Sequence, residues 1–74
     1  MGKKAFLSLN AMDKIMRQVG AERVADDAKE ALALILEQKG KEIAQEAKKL
    51  AEHAGRKTII DKDIQFATQD RSGM

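Results

Sequence analysis

Apolar side chains recur every three or four residues along most of the chain, which is the spacing of one face of an α-helix. Gly20 and Gly55 interrupt this pattern, and glycine readily takes the left-handed conformation that ends helices. The first apolar segment is "SLNAMDKIMRQVG" (8–20), the second runs from about 26 to 54, and the third begins near Asp61. The sequence therefore predicts an all-α chain with a short, a long and a short helix.

Polar residues stand where these helices should begin. Ser8 or Asn10 is suited to cap the first helix, because a short side-chain oxygen accepts a bond from an unpaired backbone N–H. Asp26 and Asp27 stand at the start of the long helix, where the helix dipole favours carboxylates. Asp61 is placed to cap the third helix.

The long helix carries one broad apolar stripe. At 100° per residue the stripe contains Ala28, Ala31, Leu32, Ile35, Leu36, Ile43, Ala47, Leu50 and Ala54. A helix of about 29 residues is roughly 43 Å long, whereas a compact chain of this size fills a sphere only about 29 Å across. One chain would leave part of the stripe uncovered, so we expect two chains to cross their long helices in an obligate dimer.

Composition narrows the function. The chain has 74 residues, no cysteine and one histidine, so disulfides and thiolate metal sites are excluded. No nucleophile–base pair, metal-ligand spacing or glycine-rich phosphate loop is present, and no apolar run approaches the ~20 residues that span a bilayer. We therefore expect no enzymatic activity, no cofactor, no small-molecule substrate and no membrane partner. The 14 basic and 12 acidic residues leave a net charge of +2, with the positive excess near the two ends of the chain.

Three segments resemble a known family. "GAERVADDA" (20–28), "EIAQEAKKLAEHAGRKTI" (42–59) and "DI" (63–64), at these separations, are similar to the archaeal histones. The likeness covers roughly residues 12–67, and the short–long–short order of helices agrees with it independently.

The resemblance implies a histone fold over residues 8–69, with a short arm at 1–7 and a frayed C-terminus at 70–74. It also implies a handshake homodimer that binds, wraps and compacts double-stranded DNA without base specificity, with higher oligomers forming on the DNA. Such a protein is expected in the cytoplasm, on the chromosome. The alternative is a histone-fold assembly subunit that mainly pairs with another protein, as in a transcription-factor-like heterodimer. The "GAER" and "RKT" loops favour the DNA-binding function.

The resemblance assigns DNA contacts to five residues. They are Arg23, Lys57, Thr58, Lys14 and Arg17. Lys57 and Thr58 are expected on phosphates, and Arg23 in the inward-facing minor groove. Antiparallel crossing of the long helices places one chain's "GAER" loop beside the partner's "RKT" loop. Lys14 and Arg17, on the first helix, are expected on the central phosphates with the N-terminal amides of that helix. For any single residue the alternative is an ordinary solvated charge.

Other positions are assigned structural roles by the same resemblance. Arg56 and Asp63 are expected to form an ion pair that braces the second loop. Leu50, His53 and Asp63 are expected in a four-helix bundle between dimers, although a histidine in the last turn is also favoured by the helix dipole alone. Gly20 is expected to let successive turns of a wound fibre stack closely, and equally suits a helix C-terminus.

The chain departs from the family pattern in several places: the N-terminal arm lacks the usual prolines, the third helix ends in "QDRSGM" and not in a basic run, and two single positions differ. Ala25 replaces the usual Ser or Thr before the long helix, so we expect capping to fall to Asp26. Lys39 stands on the apolar stripe, where methionine is common in the family, near the point where two long helices would cross. Its stem could lie on the stripe with the ammonium in solvent or at a partner's glutamate. Alternatively, like charges at the crossing could disfavour self-pairing and select a different partner chain.

Overall fold

A computed structural model describes residues 5–69 of the chain. Its helices are α1 (Leu9–Gln18), α2 (Asp26–His53) and α3 (Asp61–Gln69). No strand occurs within 5–69, so the predicted all-α chain of a short, a long and a short helix is confirmed. Part of the predicted arm, residues 1–4, and the predicted frayed end, 70–74, lie outside the described residues.

The helix starts follow the sequence only in part. Ser8 caps α1, since its Oγ accepts a hydrogen bond from the N–H of Ala11 at 3.1 Å. Asp26, by contrast, is already the first residue of α2, and the carbonyl of Ala25 accepts the first backbone bonds of that helix. Asp26 therefore acts through its charge in the first turn and not as the predicted cap. Asp61 likewise lies inside α3.

Both predicted glycine helix ends are confirmed. Gly20 and Gly55 have positive φ values of 97° and 76°. After α2, the N–H of Gly55 donates to the carbonyl of Glu52, and the N–H of Arg56 donates to that of Ala51, each at 2.9 Å. This pair of bonds is a Schellman motif, which turns the chain sharply out of the helix. The same motif follows α1, so each loop leaves its helix in a fixed direction.

The chain divides into two compact units, one ending at Gln38 and one beginning at Lys39. In the N-terminal unit, Met12 of α1 and Ala33 of α2 are buried. The segment before α1 is fixed to α2 through its backbone: the N–H of Ala5 donates to Glu30 at 3.0 Å, and those of residues 6 and 7 donate to Glu37. In the C-terminal unit the buried residues are Ala47, Ala51, Asp63 and Ala67.

The apolar core of the single chain is small. Within the described residues it consists of one methionine and four alanines, and no large side chain is fully buried. The exposed large apolar residues are Phe6, Leu9, Ile15, Val19, Ile35, Ile59, Ile60, Ile64 and Phe66. Ile59 and Ile60, which lie just before α3, are thus exposed in the single chain although they are large and apolar. Much of the apolar surface is available to a partner.

Candidate nucleic-acid interface

The loop before α2 presents Arg23 to solvent. Arg23 is exposed and lies between the Gly20 turn and the first residue of α2. The backbone next to it is fixed by Arg17, whose guanidinium donates to the carbonyl of Glu22 at 3.2 Å. Because that carbonyl belongs to the peptide bond preceding Arg23, the contact restricts the backbone from which the Arg23 side chain projects.

The loop after α2 presents Lys57 and Thr58, which are both exposed. Behind them, the guanidinium of Arg56 donates to both carboxylate oxygens of Asp63, at 2.9 and 3.0 Å. Arg56 also donates to the carbonyl of Thr58 at 2.9 Å. Bidentate, charge-assisted pairs of this kind fix orientation as well as distance. The contacts of Arg56 therefore fix the loop backbone, while Lys57 and Thr58 are exposed to solvent.

Asp63 connects this loop to α3. It is only 4% exposed, and its Oδ2 accepts the backbone N–H of Ile60 at 2.8 Å, which is the reverse half of a capping box. The hydrogen bonds from Arg56, helped by the Ile60 N–H and opposed by burial, lower the pKa of Asp63 from 3.8 to about 2. The Asp63 carboxylate thus caps α3 and fixes Arg56 at the same time.

This arrangement predicts a loss of stability in acid. Because the folded-state pKa of Asp63 lies below its ordinary value, its stabilising contribution is complete above about pH 4 and is lost as the pH falls towards about 2. We expect the difference in unfolding free energy between the wild type and Asp63→Asn to be constant above pH 5 and to shrink below pH 4. Urea unfolding at a series of pH values measures it.

Asp61→Asn is the matched control, because Asp61 is exposed in the first turn of the same helix and takes part in none of the ion pairs of residues 5–69. This variant should keep the loss of stability in acid that the wild type shows, because the Arg56–Asp63 pair is intact in it. An Asp63→Asn difference that is flat down to pH 2 would remove the stabilising role assigned to the pair.

The two candidate cations on α1 differ in their surroundings. Lys14 is exposed and belongs to no ion pair found within residues 5–69. Arg17 donates from Nε to Oδ2 of Asp13 at 2.8 Å. Asp13 also lies 3.7 Å from the ammonium of Lys29 on α2. The hydrogen bond from Arg17, supported by the charges of Arg17 and Lys29, lowers the pKa of Asp13.

The family resemblance assigned Arg17 to a phosphate, and Asp13 was expected only as an acidic group near the N-terminus of the first helix. The i,i+4 spacing of Asp13 and Arg17 is the signal that indicates this ion pair. Nothing in the sequence pattern indicates that the same guanidinium also reaches the Glu22 carbonyl, because that depends on the path of the loop.

The residues assigned to contacts between dimers lie on different parts of the C-terminal unit. His53 is the exposed last residue of α2, and Leu50 is half-buried one turn earlier. Asp63 is buried against Arg56 within the chain. Phe66 of α3, to which neither the apolar pattern nor the resemblance assigned a role, is 66% exposed. The sequence signal for Phe66 is its size, since it is one of two aromatic residues in the chain.

Within 5–69, no group of three histidine, aspartate or glutamate side chains is arranged to hold a metal ion. None of the helices in this part of the chain has the length and hydrophobicity needed to cross a membrane.

Comparison with known proteins identifies the family. Residues 5–68 match the family described as histone-like transcription factor (CBF/NF-Y) and archaeal histone. The chain belongs to this family. It is 42% identical to a subunit of the archaeal histone HAN1 of Thermococcus zilligii over 65 residues, which are 88% of this chain and 97% of that protein. It is also 39% identical to probable archaeal histone 3 of Methanocaldococcus jannaschii over 54 residues, or 73% of this chain and 81% of that one.

Membership confirms the histone fold and the archaeal-histone resemblance that the sequence predicted. In this family the three helices α1, α2 and α3 are the histone fold, and its archaeal members are DNA-binding chromatin proteins. The roles of individual residues of this archaeal histone chain stay predictions.

Proposed function

We propose that this archaeal histone forms a handshake homodimer that binds, wraps and compacts double-stranded DNA without base specificity. The observation that carries the proposal is the construction of the two loops beside α2. Each loop exposes the groups expected on DNA, Arg23 in the first and Lys57 with Thr58 in the second. In each, a neighbouring arginine donates to a loop carbonyl and to an aspartate.

The single chain supports dimer formation by what it leaves exposed. Helix α2 has 28 residues and is therefore about 42 Å long at 1.5 Å per residue. On α2 the buried residues are alanines, whereas Ile35, on the predicted apolar stripe, is 61% exposed. A chain this short gains further buried apolar area most directly by pairing. A second copy presenting the same stripe is the partner we propose.

In an antiparallel pair of α2 helices, the first loop of one chain lies beside the second loop of the other chain. Arg23 of one chain then lies beside Lys57 and Thr58 of the other, and two-fold symmetry presents the set twice. Lysine and threonine donate to phosphates whatever the base sequence, and an arginine suits a narrowed minor groove. Lys14 and the N-terminal amides of α1 add central phosphate contacts. This distribution of donors favours binding without base specificity.

Higher oligomers on DNA belong to the same proposal. The exposure of His53 and the half-exposure of Leu50 support a contact between dimers at the end of α2. Asp63 is committed to Arg56 within its own chain, so its part in such a contact is to position the loop and α3. The exposed Phe66 adds apolar area on α3. Gly20 is exposed and has no atom within 4 Å of an added Cβ, so it leaves room for a neighbouring turn of a wound fibre.

We place the protein on the chromosome.

The proposal is tested by measuring the affinity for two duplexes of unrelated sequence over a range of salt concentrations. We expect a log–log slope of about −0.9 for each phosphate neutralised, and affinities for the two duplexes that agree within a few fold. Binding that is absent or independent of salt would reject the proposal.

A second candidate is an assembly subunit that pairs with a different histone-fold chain. It is favoured by the exposed Lys39 at the middle of α2, where self-pairing would bring two lysines together. The name of the Thermococcus zilligii relative describes that protein as a subunit. The oligomeric state of the purified chain separates the two candidates.

A further inference from the structure

Arg17 contacts two parts of the N-terminal unit at once. Its Nε donates to Asp13, one turn earlier on α1, at 2.8 Å, and a terminal nitrogen donates to the Glu22 carbonyl at 3.2 Å. The second oxygen of Asp13 lies 3.7 Å from Nζ of Lys29 on α2. Lys29 in turn lies 3.5 Å from the Asp26 carboxylate. One chain of charges therefore connects α1, the loop that carries Arg23, and the start of α2.

The second loop is built in the same way. Arg56 donates to Asp63 and to the carbonyl of Thr58, as Arg17 donates to Asp13 and to the carbonyl of Glu22. In both loops an arginine, fixed by an aspartate, binds a carbonyl at or next to the residue expected on DNA. Two loops that differ in sequence thus share one arrangement of arginine, aspartate and carbonyl.

We infer that Arg17 is a positioning residue for Arg23, and that Asp13 is required for this role. The inference rests on the proposed DNA binding and changes the part that Arg17 has in it, from a phosphate contact to a support for the loop. Fixing the loop before binding reduces the conformational entropy lost when Arg23 is ordered on DNA. Asp13 also places a negative charge beside Arg17 and Lys29, which disfavours a phosphate at that point.

Asp13→Asn distinguishes the two roles by the sign of its effect. If Arg17 contacts phosphate directly, the substitution releases its guanidinium and removes a carboxylate from the surface, so DNA affinity rises. If Arg17 positions the loop, the substitution loosens its guanidinium and affinity falls although the net charge is more positive. We expect a decrease of roughly fivefold to 100-fold, as for ordering one long side chain in each of the two chains of the dimer. An increase would overturn the inference.

Arg17→Lys provides a second, independent variant. A lysine keeps the charge, so a direct phosphate contact would largely survive. A single ammonium lacks the forked donors that reach the carboxylate and the carbonyl together, so we expect Arg17→Lys to bind DNA about as weakly as Arg17→Gln. Affinity close to that of the wild type would contradict the positioning role. Lys41→Gln, which makes the same charge change as Arg17→Gln at an exposed position of α2 away from both loops, is the control for DNA affinity. Lys14→Gln, at an exposed site on α1 itself, is the control for loop order in the exchange measurement.

Amide hydrogen exchange without DNA completes the test. We expect exchange at residues 21–25 to accelerate in Asp13→Asn and Arg17→Lys and to be unchanged in Lys14→Gln. If hydrogen exchange is unchanged in Asp13→Asn and Arg17→Lys while the wild type binds DNA as proposed, only the inference about Arg17 is overturned and the proposed function stands. If the wild type shows no salt-dependent DNA binding, the proposed function is overturned, and the DNA role of Arg17 with it. The hydrogen-exchange rates would still show whether the contacts of Arg17 order the loop.

Discussion

Replacing Lys57 with alanine should reduce duplex DNA affinity about 60-fold at 0.1 M salt and make the salt slope shallower by about two. Each phosphate neutralised contributes about 0.9 to the log–log slope, and hence about eightfold in affinity at 0.1 M. A two-fold symmetric dimer loses two such contacts per substitution. Lys57 is exposed, and Arg56 fixes the backbone of its loop through the Thr58 carbonyl. The loss of DNA affinity should therefore come from the missing ammonium alone. Fluorescence anisotropy over a salt series measures both quantities.

Lys41→Ala is the matched control for this prediction. Lys41 is exposed in the middle of α2 and takes part in none of the ion pairs of residues 5–69. Its substitution removes one positive charge, as Lys57→Ala does, but at a position away from both loops. We expect its slope to stay within about half a unit of the wild-type slope. Equal losses in the two variants would mean that net charge, and not the loop, decides binding. A loss of affinity at Lys57 with an unchanged slope would mean that its contact is not ionic.

The helices were predictable because their signals are local. Gly20 and Gly55 end helices through their own backbone conformation, and Ser8 caps through an atom three residues from its donor. The pairing of Arg56 with Asp63 came from the family resemblance, and the structure places the two side chains within hydrogen-bond distance.

Other features depend on the path of the loops, which periodicity does not describe. Asp63 accepts the Ile60 N–H from only three residues away, but the apolar pattern does not fix the residue at which α3 begins, so the cap was predicted at Asp61 instead. The contact of Arg17 with the Glu22 carbonyl depends on the Gly20 turn. The exposure of Ile59 and Ile60 has a different cause. An apolar pattern indicates that a side chain will be buried, but not whether its own chain or a partner covers it.

The buried and the exposed apolar residues of α2 differ in size. The residues of this helix that are buried within the chain are Ala33, Ala47 and Ala51. Small side chains allow a neighbouring backbone to approach closely, but each contributes little apolar area. Ile35, on the predicted apolar stripe, is exposed. Hydrophobic free energy is therefore left for contacts that a single chain does not make.

Ile35→Lys should consequently prevent dimer formation and, with it, stable folding. Burying an isoleucine contributes about 1.5–3 kcal/mol, so a dimer loses about 3–6 kcal/mol from its two copies, before any cost of placing two more ammonium groups beside Lys39. Total stabilities of small proteins are only about 5–15 kcal/mol. We expect wild-type chains to sediment as a pair at micromolar concentration, with a thermal midpoint that rises with protein concentration. The variant should sediment as a single chain with little helical circular dichroism.

Gln45→Lys is the matched control, since it adds the same charge at an exposed position of α2 away from the apolar stripe, and it should behave as the wild type. A helical, folded single chain in Ile35→Lys would contradict the obligate pairing. A wild-type chain that sediments alone, with a midpoint independent of concentration, would leave the homodimer without support and favour the alternative that Lys39 selects a different histone-fold partner. A stable wild-type pair would show instead that two Lys39 side chains are accommodated at the crossing, with their stems on the apolar stripe and their ammonium groups in solvent.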